Sequence, residues 1–236
     1  MAILITGASA GFGAAMCRAF VQAGYPVIGA ARRADKLAEL QNELGFMFQP
    51  LEMDVGDKNS VNIALASLAQ LPEAFQSIDC LINNAGLALG LEPAHQASFE
   101  DWETMVQTNV LGLIYLTRQV LPGMVARGHG AILNVSSVTA LTAMGTYAAH
   151  KAWVRTFTEG LVSELRGTGV TATVVNPGLT RTEFHERAGM DETAWPDLAW
   201  LRAEDVASAA LDAVRRGQVI CTPSVRYRAA NAALRA

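Results

Sequence analysis

The chain opens with Met1-Ala2-Ile3-Leu4-Ile5, an apolar, strand-like run. It stops on Thr6-Gly7-Ala8-Ser9-Ala10-Gly11-Phe12-Gly13, and a helical pattern follows at once. A strand that turns on glycines into a helix N-terminus is a site for a pyrophosphate. Backbone N–H groups and the helix dipole face the anion, and the missing side chains let it approach closely. The spacing is T-G-x-x-x-G-x-G rather than G-x-G-x-x-G. The turn predicts a dinucleotide cradled by Gly7, Ser9, Gly11, Phe12 and Gly13. A plain βα turn without a ligand is the alternative. The context that a nucleotide turn requires is present here: a strand before, a helix after, and an alternation that continues.

That alternation runs through the whole chain. Strand-like runs fall at 2–5, 26–30, 46–53, 80–83, 131–135, 171–175 and 219–221. Helical patterns lie between them, near 13–23, 34–44, 58–70, 99–126, 146–167 and 203–216. Strands alternating with helices imply βαβ units and a parallel sheet. The right-handed crossover rule then selects a doubly wound α/β domain. We expect mostly parallel pairing of seven strands, helices on both faces, and one domain over residues 1–236. At 51% hydrophobic and 17% charged residues, the chain suits a sheet covered on both sides. A net charge of -4 gives no reason to expect nucleic acid. No apolar run approaches a membrane span. Met1 leads straight into the first strand, so no signal peptide is expected. Cys17, Cys80 and Cys221 are odd in number and lack metal-ligand spacing, so they read as reduced thiols in a cytoplasmic protein with no metal site.

The end of the second strand separates NAD from NADP. A carboxylate there would bond the ribose 2′-hydroxyl, whereas a cation would accept a 2′-phosphate. The segment reads Val27-Ile28-Gly29-Ala30-Ala31-Arg32-Arg33. Ala31 stands at the acid position and two arginines follow, which favours NADP with Arg32 and Arg33 on the phosphate. The alternative is that both arginines simply open a solvated helix. Asp54, ahead of Val55, ends the third strand and could accept from an adenine amino group or cap the next helix. Asn83-Asn84-Ala85-Gly86 follows the fourth strand. Its small residues and amides suit close approach to a cofactor ribose, although the same residues would also make a plain turn.

Tyr147 and Lys151 are four apart in a helical segment, so both face one side. A phenol ordinarily titrates near 10. A neighbouring ammonium stabilises the phenolate and lets the tyrosine exchange protons nearer neutral pH. Ser137 ends the preceding strand, and its hydroxyl could hold a substrate oxygen in line with Tyr147. These are parts for reversible hydride transfer between an alcohol and a carbonyl, with a nicotinamide carrying the hydride.

Together with the glycine turn, these residues resemble the short-chain dehydrogenase/reductase family over essentially the whole chain. The matching elements are Thr6 to Gly13, Asn83-Asn84-Ala85-Gly86, Asn109, Ser137, Tyr147 with Lys151, and Asn176-Pro177-Gly178 followed by Thr180 and Thr182. The resemblance implies a doubly wound (Rossmann) fold and a role for each residue. Tyr147 would be the acid/base. Ser137 would orient the carbonyl. Lys151 would bind the nicotinamide ribose and tune the tyrosine. Asn109 would hold a water linking the lysine to solvent. Pro177, Gly178 and Thr182 would contact the nicotinamide end. Residues 86–95, 100–105 and 120–124, with Gly11-Phe12-Gly13 and Arg32-Arg33, are similar to the NADP-dependent 3-hydroxy acid (serine 3-) dehydrogenase and malonic semialdehyde reductase subgroup. That similarity implies a small 3-hydroxy acid or its 3-oxo counterpart as substrate.

The chain also departs from the family pattern. Only 10 positions separate Ser137 from Tyr147, three fewer than usual. The loop between them helps wall the substrate pocket, so a reductase for bulkier hydrophobic ketones is the second expectation. Ser136 is a weaker candidate for the serine role. His150 reads as a helix-face residue rather than a second base. Residues 183–200 would form a lid, with Arg181 or Arg187 available to a substrate carboxylate. The tail after Pro223 does not resemble the subgroup's. Helices near 99–126 and 146–167 are expected to pair copies into a homodimer or homotetramer. A cofactor sensor or scaffold without catalysis is the competing class, because fold alone does not establish function. Such proteins tend to lose the tyrosine or lysine that this chain keeps.

Overall fold

The side chains of the first strand sort themselves by parity. Ile3 and Ile5 enter one apolar cluster, whereas Ala2 and Leu4 enter another. A strand sends alternate side chains to opposite faces, so a strand apolar on both faces must lie between two layers. The computed structural model describes residues 2–189 and 191–233 and has that three-layer form.

Seven parallel strands make the sheet: β1 (Ala2–Thr6), β2 (Val27–Ala31), β3 (Phe48–Glu52), β4 (Ile78–Asn83), β5 (Gly130–Val135), β6 (Val170–Val175) and β7 (Ile220–Cys221). Their order is β3-β2-β1-β4-β5-β6-β7. On one face lie α1 (Gly11–Gln22), α2 (Ala34–Leu44) and, further along the chain, the helix over Ala203–Arg215. The other face is covered by α3 (Lys58–Ser67) and by the helices over Leu113–Arg127 and Gly145–Glu164. The strand order reverses between β1 and β4. Loops leave the carboxyl ends of those two strands in opposite directions and open a crevice there. All seven expected strands and the parallel pairing are present.

Two segments differ from the sequence expectation. The third strand begins at Phe48 rather than at residue 46. Gly45, with φ +66°, starts a 3₁₀ turn over Gly45–Met47 that leaves Phe46 exposed. The helix expected over 99–126 is two helices, α4 (Phe99–Val106) and α5 (Leu113–Arg127), joined by a π-helical stretch over Gln107–Gly112. At Gly112 this wider stretch presses on the backbone of Val55. A Cβ there would stand 2.4 Å from the Val55 carbonyl oxygen, closer than any side chain tolerates. The remaining helices are α6 (Gly145–Glu164), α7 (Glu183–Arg187), α8 (Ala203–Arg215) and a helix in the tail, α9 (Val225–Ala233).

Candidate active site

The crevice begins at the glycine turn. Gly7 and Gly11 adopt φ +66° and +52°, a region that L side chains rarely enter. Gly13 packs so closely under the turn that a Cβ would lie 2.1 Å from the Gly7 carbonyl oxygen. The turn is held from the β4 side as well. Thr6 Oγ1 accepts from the N–H groups of Asn84 and Ala85, both at 3.0 Å, and Asn84 Nδ2 donates to the Thr6 carbonyl at 2.8 Å. At the start of α1 there is no side-chain cap and no acidic residue in the first turn. Its first N–H groups therefore suit an anion. The cradle fits a dinucleotide phosphate.

At the end of β2, Ala31 is buried and the two arginines diverge. Arg33 turns back over the glycine turn. Its guanidinium donates to Ser9 Oγ at 3.0 and 3.1 Å and to the Ser9 carbonyl at 3.2 Å, and it stands 3.7 Å from the Glu183 carboxylate on α7. Arg32 is exposed and lies 3.8 Å from Asp54 Oδ2. Arg33 is thus built into the cradle, and Arg32 rims it. Asp54 is not a helix cap. Its Oδ1 accepts from Gly56 N–H, and Asp57 caps α3. Two guanidiniums beside a buried alanine fit a 2′-phosphate better than a hydroxyl.

Asn83 is placed differently from its expected role at the ribose. Its side chain points into the sheet, where Nδ2 donates to Asn134 Oδ1 at 2.8 Å and to Thr117 Oγ1 at 3.0 Å. Asn134 in turn donates to Thr158 Oγ1. A buried amide must be satisfied, and this ladder does it between β4, β5 and the flanking helices. The neighbouring Asn84 holds the turn instead.

Tyr147 and Lys151 lie in the first two turns of α6. Lys151 Nζ is 5.6 Å from the Tyr147 ring centroid and donates to the Val135 carbonyl at 2.9 Å. Burial pulls the lysine down from 10.5 to about 8 and pushes the Tyr147 phenol up. The phenol thus moves opposite to the lowering expected from the adjacent ammonium, because burial dominates. Asn109 sits in the π stretch and clasps Leu87. Its Oδ1 accepts from Leu87 N–H at 2.9 Å, and its Nδ2 donates to the Leu87 carbonyl at 2.8 Å. Gly86 lies between the two groups, with space for a Cβ only 3.3 Å from Asn109 Oδ1 and 3.6 Å from Lys151 Nζ. The structure thus gathers Gly86, Asn109 and Lys151 at the bottom of one crevice.

The two serines after β5 separate cleanly. Ser136 is buried and donates to the Lys151 carbonyl at 2.7 Å. Ser137 is partly exposed, and its Oγ accepts from Thr139 N–H at 3.2 Å. The short loop continues as a 3₁₀ turn over Val138–Leu141 that packs on α6. His150 is buried. Its Nδ1 finds no partner among the described residues, and burial, followed by the Lys151 charge, lowers its pKa.

The lid lies over this group. Phe184 packs on Tyr147 with ring centroids 5.7 Å apart. His185 is buried between Phe184 and Trp200. Thr182 faces Gly11, and Thr180 donates to the Gly178 carbonyl at 2.9 Å. Arg181 is half exposed; it pairs with the exposed Asp197 and lies over the Trp200 ring, partners that a substrate carboxylate would have to compete with. The side chain of Arg187 lies outside the described residues. Phe12 packs on the apolar cluster beside α1. Sequence reasoning passed over Phe184, Leu87 and Tyr227 of the tail. Only the glycines they touch, Gly86 for the Leu87 region and Gly178 for Tyr227, signalled a close approach.

Known proteins share this arrangement. The family model described as short chain dehydrogenase matches residues 1–193. An NADP-dependent 3-hydroxy acid dehydrogenase of Escherichia coli K12 is 44% identical over 218 residues, covering 89% of this chain and 87% of that protein. A serine 3-dehydrogenase of Agrobacterium fabrum is 45% identical over 214 residues, covering 87% and 84%. Among solved structures, the closed form of a serine dehydrogenase complexed with NADP+ superposes with a TM-score of 0.85 at 44% identity, covering 93% of this chain and 92% of that one. A cradle of this shape, a Tyr-x-x-x-Lys helix beside it, and a family match over residues 1–193 place the chain in the short-chain dehydrogenase family.

Proposed function

We propose that this protein is an NADP-dependent oxidoreductase that interconverts a small 3-hydroxy acid, such as serine, allo-threonine or 3-hydroxyisobutyrate, and its 3-oxo counterpart. The observation that carries the reading is the Tyr147–Lys151 pair, the lysine buried and the tyrosine partly exposed, beside a glycine cradle flanked by Arg32 and Arg33. Relatives named for that activity, matched over 87% and 84% of their own lengths, support it.

Tyr147 holds or removes the proton at the substrate oxygen. Lys151, fixed by the Val135 carbonyl, favours the phenolate and offers its ammonium to a ribose hydroxyl. Ser137 donates to the carbonyl oxygen and orients it. Asn109 keeps the loop at Leu87 in place. Gly7, Ser9, Gly11, Phe12 and Gly13 hold the phosphates. Arg33 and Arg32 take the 2′-phosphate. Asp54 and Val55 border the adenine, Ala85 and Gly86 the ribose, and Pro177, Gly178, Thr180 and Thr182 the nicotinamide end. Bound NADP supplies the hydride chemistry. Residues 1–236 act as one domain.

We also infer a homo-oligomer in the cytoplasm. Exposed Phe99, Val106, Leu111 and Val125, along α4, the π stretch and α5, support a self-association face. Among the described residues, no helix is long and apolar enough to cross a membrane. The test is NADP⁺ reduction against serine, allo-threonine, 3-hydroxyisobutyrate and hydrophobic secondary alcohols, with Tyr147→Phe and NAD⁺ in parallel. Tyr147→Phe is expected to lower kcat by roughly 10²–10⁴ while NADPH still binds. Turnover confined to hydrophobic alcohols would replace the acid assignment with a general carbonyl reductase. An unaffected Tyr147→Phe would remove the catalytic reading.

A further inference from the structure

The tail reaches back to the site. Tyr227, on α9, lies against Gly178, where a Cβ would meet the ring at 2.0 Å. Its hydroxyl accepts from Leu179 N–H at 3.1 Å and donates to the Ala199 carbonyl at 2.9 Å. One oxygen therefore joins the turn after β6 to the far end of the lid, and adds to a backbone bridge in which Leu201 N–H donates to the Leu179 carbonyl at 2.8 Å and Arg181 N–H to the Leu201 carbonyl at 3.0 Å. Arg226 adds a bond from its guanidinium to the Leu198 carbonyl at 2.5 Å. The same turn holds the serine loop, because Val138 N–H donates to the Pro177 carbonyl at 3.0 Å. α9 also packs against the 3₁₀ turn over Val138–Leu141, within the loop that is three residues short.

We propose that Tyr227 is a positioning residue. It ties the returning end of the lid to the Pro177–Leu179 turn and braces the shortened loop behind Ser137. The tail thereby sets how the substrate side of the pocket closes. A small acid needs a closed pocket, and a short loop alone would leave this one open. Tyr227 is partly exposed and bonds to loop backbone, so losing its hydroxyl frees a local unit rather than the core. Phenylalanine at 227 would keep the ring on Gly178 and leave the Leu179 N–H and the Ala199 carbonyl without this partner.

The kinetic arm of the test rests on the dehydrogenase reading, and a proteolytic arm does not. Tyr227→Phe is compared with the wild type by thermal melting, by trypsin cleavage across the lid between Arg181 and Arg202, by NADPH affinity and by steady-state kinetics on whichever alcohol the wild type oxidises. The expected result is a melting point within about 2 °C of wild type, lid cleavage about fivefold faster, and KM for the alcohol about tenfold higher with kcat and NADPH affinity within about twofold. Tyr227→Ala, which also uncovers Gly178, should move both readouts further in the same directions. Unchanged cleavage overturns the proposal, as does an unchanged KM in a wild type that turns over. A parallel fall in melting point, NADPH affinity and kcat also overturns it, by making Tyr227 a plain stabilising residue. If the wild type oxidises no alcohol, the dehydrogenase reading fails, and the cleavage rates still decide the role of Tyr227.

Discussion

The hydroxyl of Ser136 donates to the backbone carbonyl of Lys151 at 2.7 Å, and this bond ties the end of β5 to the helix that carries the lysine. Its neighbour Ser137 is partly exposed and caps its own short turn. The two positions should therefore fail in different ways. Ser137→Ala should lower kcat/KM by about 10²-fold with melting point and NADPH affinity unchanged. Ser136→Ala should destabilise the fold by about 1 kcal/mol, because it removes a buried hydrogen bond between β5 and α6, added to the intrahelical bond that the Lys151 carbonyl already accepts. Kinetics and thermal melts on both variants check the distinction, and the reverse pattern would exchange the roles.

Lys151 makes stability depend on pH in a defined direction. Its pKa is lowered by burial from 10.5 to about 8, so the fold disfavours the charged form. Below about pH 8 the lysine is charged in both states and the penalty is full. As the pH rises from 8 towards 10.5, the unfolded chain stays protonated longer than the native one, and the penalty disappears. Relative to Lys151→Met, the wild type should gain on the order of 3 kcal/mol across that window. Urea unfolding of both proteins at several pH values measures the difference. A constant gap would mean that the ammonium is fully compensated where it lies.

Cofactor choice should rest more on Arg33 than on Arg32. Arg33 holds Ser9 at three contacts and is part-buried, whereas Arg32 is exposed. Arg33→Ala should weaken NADPH binding by roughly 10–100-fold, the range for charge-assisted hydrogen bonds, and NADH binding much less. Fluorescence titration of both nucleotides gives the ratio. Equal losses for the two would place the 2′-phosphate elsewhere.

Gly13→Ala should abolish nucleotide binding and lower the melting point together. The added carbon would stand 2.1 Å from the Gly7 carbonyl, which is backbone and has nowhere to move. Normal NADPH affinity in a folded Gly13→Ala protein would show that the cradle yields more than its packing indicates.

The strands and the glycine turn were legible because both are local. Alternate burial of Ile3 and Ile5 against Ala2 and Leu4 follows from strand geometry, and a turn on Gly7 and Gly11 follows from their φ freedom. Tyr147 and Lys151 were legible through helical spacing. What could not be read depends on contacts between distant segments. Asn83 and Asn84 are adjacent and chemically identical, yet one faces a buried ladder and the other the turn. The join between α4 and α5 was hidden inside a continuous helical pattern, since apolar spacing does not show which turn is wide. Tyr227 meets Gly178 across 49 positions of chain, a pairing set by the tertiary fold.

A π turn holds one residue more than the α turn it replaces. Gln107–Gly112 can therefore be regarded as a length variant of an ordinary helix, with the extra residue absorbed before α5 begins. Deleting one residue there would restore a regular helix and keep the phase of α5 against the sheet, while rotating Asn109 away from Leu87. The buried amide of this site is thus encoded by the residue count as well as by the asparagine. A lineage with one codon fewer in this stretch would keep its scaffold and lose the clasp, without any substitution among the residues that define the site.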